Sequence, residues 1–130
     1  MPNGNGGWNF DCQHGPRECS GNMYAACLVD ALKNDEPLLV EVINCIMSDP
    51  SPHTATEKCM DYLTIEEPNF QEIEKCHSSD VGENLLYDFG VKTHDEGVYF
   101  VPWLNIDGVS YFAINKFKKL NSKPNQSTIF

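Results

Sequence analysis

The sequence predicts an α+β fold, a set of short amphipathic helices tied by disulfides and closed by a C-terminal β-hairpin. Three observations predict it. Apolar residues recur at helical spacing in separate stripes between Tyr24 and Phe89. Asp107-Gly108 stands between two β-rich runs, Tyr99 to Ile106 and Val109 to Phe112, a strong two-residue hairpin signal. Six cysteines in 130 residues favour an oxidising compartment and a disulfide framework.

Taken in order, residues 1–7 are rich in Gly and Asn and read as loop. Trp8 and Phe10 alternate with polar neighbours, the pattern of a short strand. Cys12 to Gly21 carries Gly and Pro punctuation and reads as a cross-linked loop. Tyr24, Leu28, Val29 and Leu32 form one helical stripe. Leu38, Leu39, Val42, Ile43, Ile46 and Met47 form a stronger one, entered through Pro37 and stopped by Pro50 and Pro52. Thr54 with Glu57 and Asn69 with Glu72 have capping-box spacing and open two more helices, the second carrying Ile73 and Cys76. Asp80 with Glu83 precedes Val81, Leu85, Leu86 and Phe89. After the hairpin, Ala113 to Leu120 has helical spacing, and residues 121–130 read as a polar tail on a single domain of 1–130.

Net charge is −10, which argues against nucleic acid, because phosphate binding depends on clustered cations. Lys116, Lys118, Lys119 and Lys123 make a small basic group and read as a solvated face. Apolar runs are too short for a membrane span. Met1 is followed by Pro2, Asn3 and Gly4 rather than by a basic start and an apolar stretch, so no export signal is visible. The cysteines ask for export all the same, and the expectation is an upstream segment missing from this chain.

The cysteines stand at 12, 19, 27, 45, 59 and 76. Six allow 15 pairings. Cys45 and Cys59 lie on consecutive helices joined by a Pro-broken turn, and antiparallel helices with so short a connector bring such residues within reach. This pair is the favoured one, leaving Cys12, Cys19, Cys27 and Cys76 to pair among themselves in an unassigned order. The smallest gap, Cys12 to Cys19, is seven positions, so the chain holds no Cys-x-x-Cys. Disulfide reduction needs one thiolate to attack and a neighbouring thiol to resolve the mixed disulfide. No catalytic residue is assigned on that ground.

Residues 12–27 place Cys12, Gln13, His14, Gly15, Glu18, Cys19, Asn22 and Cys27 at fixed intervals. This pattern resembles the defining motif of the gamma-interferon-inducible lysosomal thiol reductase (GILT) family. Pro2-Asn3-Gly4-Asn5 is similar to the loop before that motif, and Val101-Pro102-Trp103 to a late strand. The resemblance implies a partial thioredoxin-like fold with a disulfide-linked helical insertion, lacking the family's first strand, active-site helix and most of its second strand. It implies a relation to enzymes that reduce protein disulfides in lysosomes through a Cys-x-x-Cys. It also implies that this chain is inactive as given, secreted or lysosomal, with a protein partner and no cofactor. The alternative is a non-catalytic secreted interaction module. By the same resemblance, Val101-Pro102 would be the cis-proline pair that faces a substrate.

Cys12, His14 and Cys19 lack the second ligand pair that structural zinc wants, and no metal is expected. His53, His77 and His94 read as isolated and exposed. Asn125 begins a glycosylation sequon in the tail. Trp103 reads as a core aromatic rather than a substrate-facing one. With the neighbouring strands of a thioredoxin-like sheet missing, the hairpin at 99–112 would present an open edge and promote self-association.

Overall fold

Proline starts three of the helices. In the computed structural model, which describes residues 1–101 and 103–111, Pro16, Pro37 and Pro52 sit in the first two positions of α1 (Pro16–Ala31), α2 (Glu36–Ser48) and α3 (Pro52–Tyr62). A proline there gives up an N–H that has no intrahelical partner, and its fixed φ already suits a helix. Helix α2 is capped by the Asp35 side chain, which accepts from the Leu38 N–H. Helix α4 (Phe70–His77) opens on a full capping box: the Glu72 N–H donates to Asn69 Oδ1 at 3.0 Å, and the Asn69 N–H donates to Glu72 Oε2 at 2.9 Å. Helix α5 covers Asp80–Asp95.

Two local expectations change. Residues 16–21 are the first turns of α1 rather than loop, because Gly15 and Pro16 together start a helix inside the Gly- and Pro-marked stretch. Thr54 does not cap α3. Ser51 holds that position, and Thr54 lies inside the first turn with its hydroxyl on the Ser51 carbonyl at 3.4 Å.

The chain divides into two units, Met1–Val91 and Lys92–Phe130. In the first, α1 packs on α3 and α4, and α2 packs on α3. The core they share holds Leu28, Val42, Ala55, Met60 and Ile73, with Tyr24, Leu32, Ile46, Cys27 and Cys59 around them. Leu28 and Val42 are fully buried, each stabilising by about 1.5–3 kcal/mol relative to exposure. Helices α1 and α3 approach closely where Gly21 meets Pro52: a Cβ on Gly21 would stand 2.7 Å from Pro52 Cβ and 3.0 Å from its carbonyl oxygen. The residue at that crossing must therefore lack a side chain.

Three disulfides staple this unit: Cys12–Cys19, Cys27–Cys76 and Cys45–Cys59. They close separations of 7, 49 and 14 residues. In the chain-entropy view these are worth about 2.5, about 4 and about 3 kcal/mol respectively.

The N-terminal segment lies on α5. Pro2 and Trp8 form an isolated bridge in place of the expected strand at Trp8 and Phe10. The Trp8 ring stacks on Tyr87 with centroids 3.7 Å apart and donates from Nε1 to Asn84 Oδ1 at 3.2 Å.

In the second unit, Tyr99, Phe100 and Trp103 form a ring cluster with centroids 5.1–5.8 Å apart. Trp103 is buried. Leu104–Ile106 (β1) pairs antiparallel with Val109–Tyr111 (β2), Leu104 opposite Tyr111 and Ile106 opposite Val109.

The α+β, thioredoxin-like expectation is corrected by this architecture. The described residues form a helical protein, and no layered sheet occurs among them. Among the described residues, strand pairing beyond the isolated Pro2–Trp8 bridge is a ribbon of three residues per strand, while Tyr99 to Val101, expected as strand, are outside it. The physical reason is that the apolar stripes of α1 to α4 cover one another and are cross-linked in place, so the helices need no sheet to pack against. Among the described residues, these two strands pair only with each other and join no thioredoxin-like sheet. Phe112, the helix expected at 113–120, the lysines from 116 to 123 and the tail lie outside the described residues.

Candidate functional site

The motif residues gather at the start of α1. Gly15 is the N-cap with φ 90°, a left-handed conformation that glycine adopts without strain. Its N–H donates to the Cys12 carbonyl at 3.0 Å, and its own carbonyl accepts from the Glu18 and Cys19 N–H groups at 3.1 and 3.2 Å. This tight turn folds Cys12 back over the first helical turn and sets its Cα 5.6 Å from that of Cys19, close enough for the disulfide. One turn on, Asn22 Nδ2 points at Cys12 Sγ at 3.8 Å. His14 Nδ1 pairs with the Glu18 carboxylate across the same turn, and Gln13 is exposed.

Cys27 belongs elsewhere. It lies two turns further along α1 on the opposite side of the burial boundary, 2% exposed, and is joined to Cys76 of α4. The motif thus has two parts, a solvent-facing turn closed by Cys12–Cys19 and a core staple that fixes α4 to α1. Cys45 of α2 and Cys59 of α3 form the third bridge. All six cysteines of the chain are in these bridges, and none is free.

A second polar group was not legible in the sequence. Between α1 and α4, the Tyr24 hydroxyl donates to Glu74 Oε2, and the Ser78 hydroxyl donates to Glu74 Oε1 at 2.9 Å. The His77 ring stacks on Tyr24 with centroids 3.8 Å apart and meets Ser20 Oγ through Nε2 at 2.9 Å. Burial pushes the Tyr24 hydroxyl well above its ordinary value, and the Glu74 hydrogen bond and charge add to this. Glu74 is held below the usual carboxylate range, first by the Tyr24 hydrogen bond, against its own desolvation, with Ser78 and the His77 ring contributing. His53 and His77 are half-buried rather than exposed as expected, His77 because its ring stacks on Tyr24 of α1; His94 is exposed. The spacing of Glu74 and His77 in α4 and Ser78 at its C-cap was the available signal.

The remaining candidates are quickly placed. Val101 is exposed and Pro102 lies outside the described residues, as does Asn125. No cluster of three or more His, Cys, Asp or Glu able to hold a metal occurs among the described residues. No described helix is long and apolar enough to cross a membrane.

Residues 1–63, which contain the whole motif, match the family model described as gamma interferon inducible lysosomal thiol reductase (GILT). This chain belongs to the GILT family. Among its relatives, the gamma-interferon-inducible lysosomal thiol reductase of Carassius auratus is 32% identical over 105 residues, covering 79% of this chain and 40% of its own length. The mouse protein of the same name is 30% identical over 108 residues, covering 81% of this chain and 42% of its own. A GILT-like protein of Caenorhabditis elegans is 32% identical over 103 residues, covering 78% and 46%. The chain therefore spans less than half the length of these relatives, and their full activity is not carried over with the likeness.

Proposed function

We propose that this chain is the disulfide-stapled helical part of a GILT-type thiol reductase system, and that by itself it does not turn over protein disulfides. One observation carries the reading: every cysteine of the chain is already cross-linked, and no two lie at Cys-x-x-Cys spacing. Turnover needs a thiolate poised to attack and a resolving thiol close behind it. A rigid frame around Gly15 and α1 is instead suited to positioning neighbouring elements or holding a protein partner that carries disulfides. Three native bridges support an oxidising or endolysosomal setting, in keeping with the word lysosomal in the names of its relatives.

Insulin reduction at acidic pH, with a dithiol as regenerant, tests the proposal. The expected rate is that of the dithiol alone. A rate comparable to that of a complete GILT-family reductase overturns it.

A further inference from the structure

We propose that Cys12–Cys19 is a thiol–disulfide exchange site, opened by a small dithiol while Cys27–Cys76 and Cys45–Cys59 stay closed. The inference goes beyond the proposed function. It concerns stoichiometric opening of one bridge, so a chain inert toward insulin leaves it standing.

Position separates the three bridges. Cys27 and Cys59 are each 2% exposed, and their partners Cys76 and Cys45, though half-buried, pack against the same core, so each of these two bridges has one sulfur shielded by the helices around it. Cys12 and Cys19 are both half-buried, and neither belongs to that core. Their bridge closes a separation of only seven residues, from the turn at Gly15 into the first turn of α1, where backbone bonds around Gly15 already hold the shape. Opening it therefore leaves the helix packing intact, whereas opening either other bridge frees a helix.

The surroundings also choose which sulfur leaves. Asn22 Nδ2 stands 3.8 Å from Cys12 Sγ and can donate to a thiolate there. Cys19 Sγ stands 3.7 Å from the Phe10 carbonyl oxygen. In the disulfide this is only a contact, since the sulfur carries no hydrogen. In the reduced form a Cys19 thiol can donate to that carbonyl, which disfavours its thiolate. Charge is thus better held on Cys12, and a lower-energy leaving thiolate leaves faster.

In the exchange, a thiolate of the dithiol attacks Cys19 Sγ. The Cys12–Cys19 bond breaks, a mixed disulfide forms on Cys19, and Cys12 departs as a thiolate facing Asn22. The second thiol of the reductant then closes on its own sulfur and releases Cys19, which takes up a proton. The bridge gains two electrons; of the two protons the dithiol gives up, one goes to Cys19 and the other to solvent while Cys12 stays a thiolate, and the dithiol leaves as a cyclic disulfide.

The test uses the full chain under native conditions with limiting dithiothreitol, acid quenching, alkylation and peptide mass analysis over time. Cys12 and Cys19 are expected to label at least about tenfold faster than the other four. Asn22→Ala, an exposed position, is expected to slow this opening about three- to tenfold with unchanged helix content. With 2-mercaptoethanol the first adduct is expected on Cys19. Labelling of a core cysteine as fast as Cys12, an Asn22→Ala chain that opens at the original rate, or a first adduct on Cys12 each overturns the proposal.

Discussion

Tyr24 shows how a single side chain can set pH behaviour. It is 8% exposed, its ring stacked against His77 and its hydroxyl committed to Glu74. The two shifts act at opposite ends of the pH scale. Glu74 is depressed in the folded state, so its contribution is present above the ordinary carboxylate value and is lost as pH falls through the lowered one. Tyr24 is raised, so its contribution is complete below about pH 10 and is lost as pH climbs toward the raised value. Tyr24→Phe keeps the ring and removes the bond. It is expected to cost about 1 kcal/mol near neutral pH and to lose less stability than the parent chain between about pH 6 and about pH 3. Thermal unfolding followed across that range checks both parts; parallel pH curves would contradict the role given to Glu74.

At the scale of elements, the crossing of α1 over α3 rests on a residue without a side chain. With Pro52 at contact distance of any added Cβ, Gly21→Ala forces the two helices apart or shifts the start of α3. Overpacking of this kind costs about 1–3 kcal/mol, offset by less than about 1 kcal/mol from the better helix propensity of alanine. Urea unfolding is expected to show a net loss with an unchanged m-value, and a stabilised variant would refute the crossing. Proline at the start of α1, α2 and α3 and the Asn69–Glu72 box of α4 could be read in the sequence because caps are local. The start of α1 at Pro16 was hidden by the neighbouring Gly15, which signals a turn as readily as a cap. The cap of α3 was misplaced by one turn because Thr54 and Glu57 satisfy the same spacing rule as a true box.

For the molecule as a whole, Cys27–Cys76 is the bridge that most constrains the unfolded chain, since it spans 49 residues. Replacing both cysteines by serine is expected to cost about 4 kcal/mol from loop entropy, with a further penalty for two polar groups at the α1–α4 contact. Replacing Cys12 and Cys19 in the same way is expected to cost about 2.5 kcal/mol at most. Chemical denaturation of the two double variants orders them; a larger loss for the shorter bridge would show that the turn at Gly15, and not the helix pair, dominates stability.

The sequence by itself determined the family, through the residues from Cys12 to Cys27, and the existence of helices wherever apolar spacing and proline agreed. It also determined that no Cys-x-x-Cys is present. These are local properties of residue identity and spacing. Two properties were decided only by the tertiary structure. One is the division of the motif into an exposed bridge and a buried one, since Cys19 and Cys27 look alike in sequence and differ in which face of α1 carries them. The other is fold class: whether β-rich runs join a sheet depends on distant partners, and among the described residues Leu104–Ile106 and Val109–Tyr111 pair with one another alone.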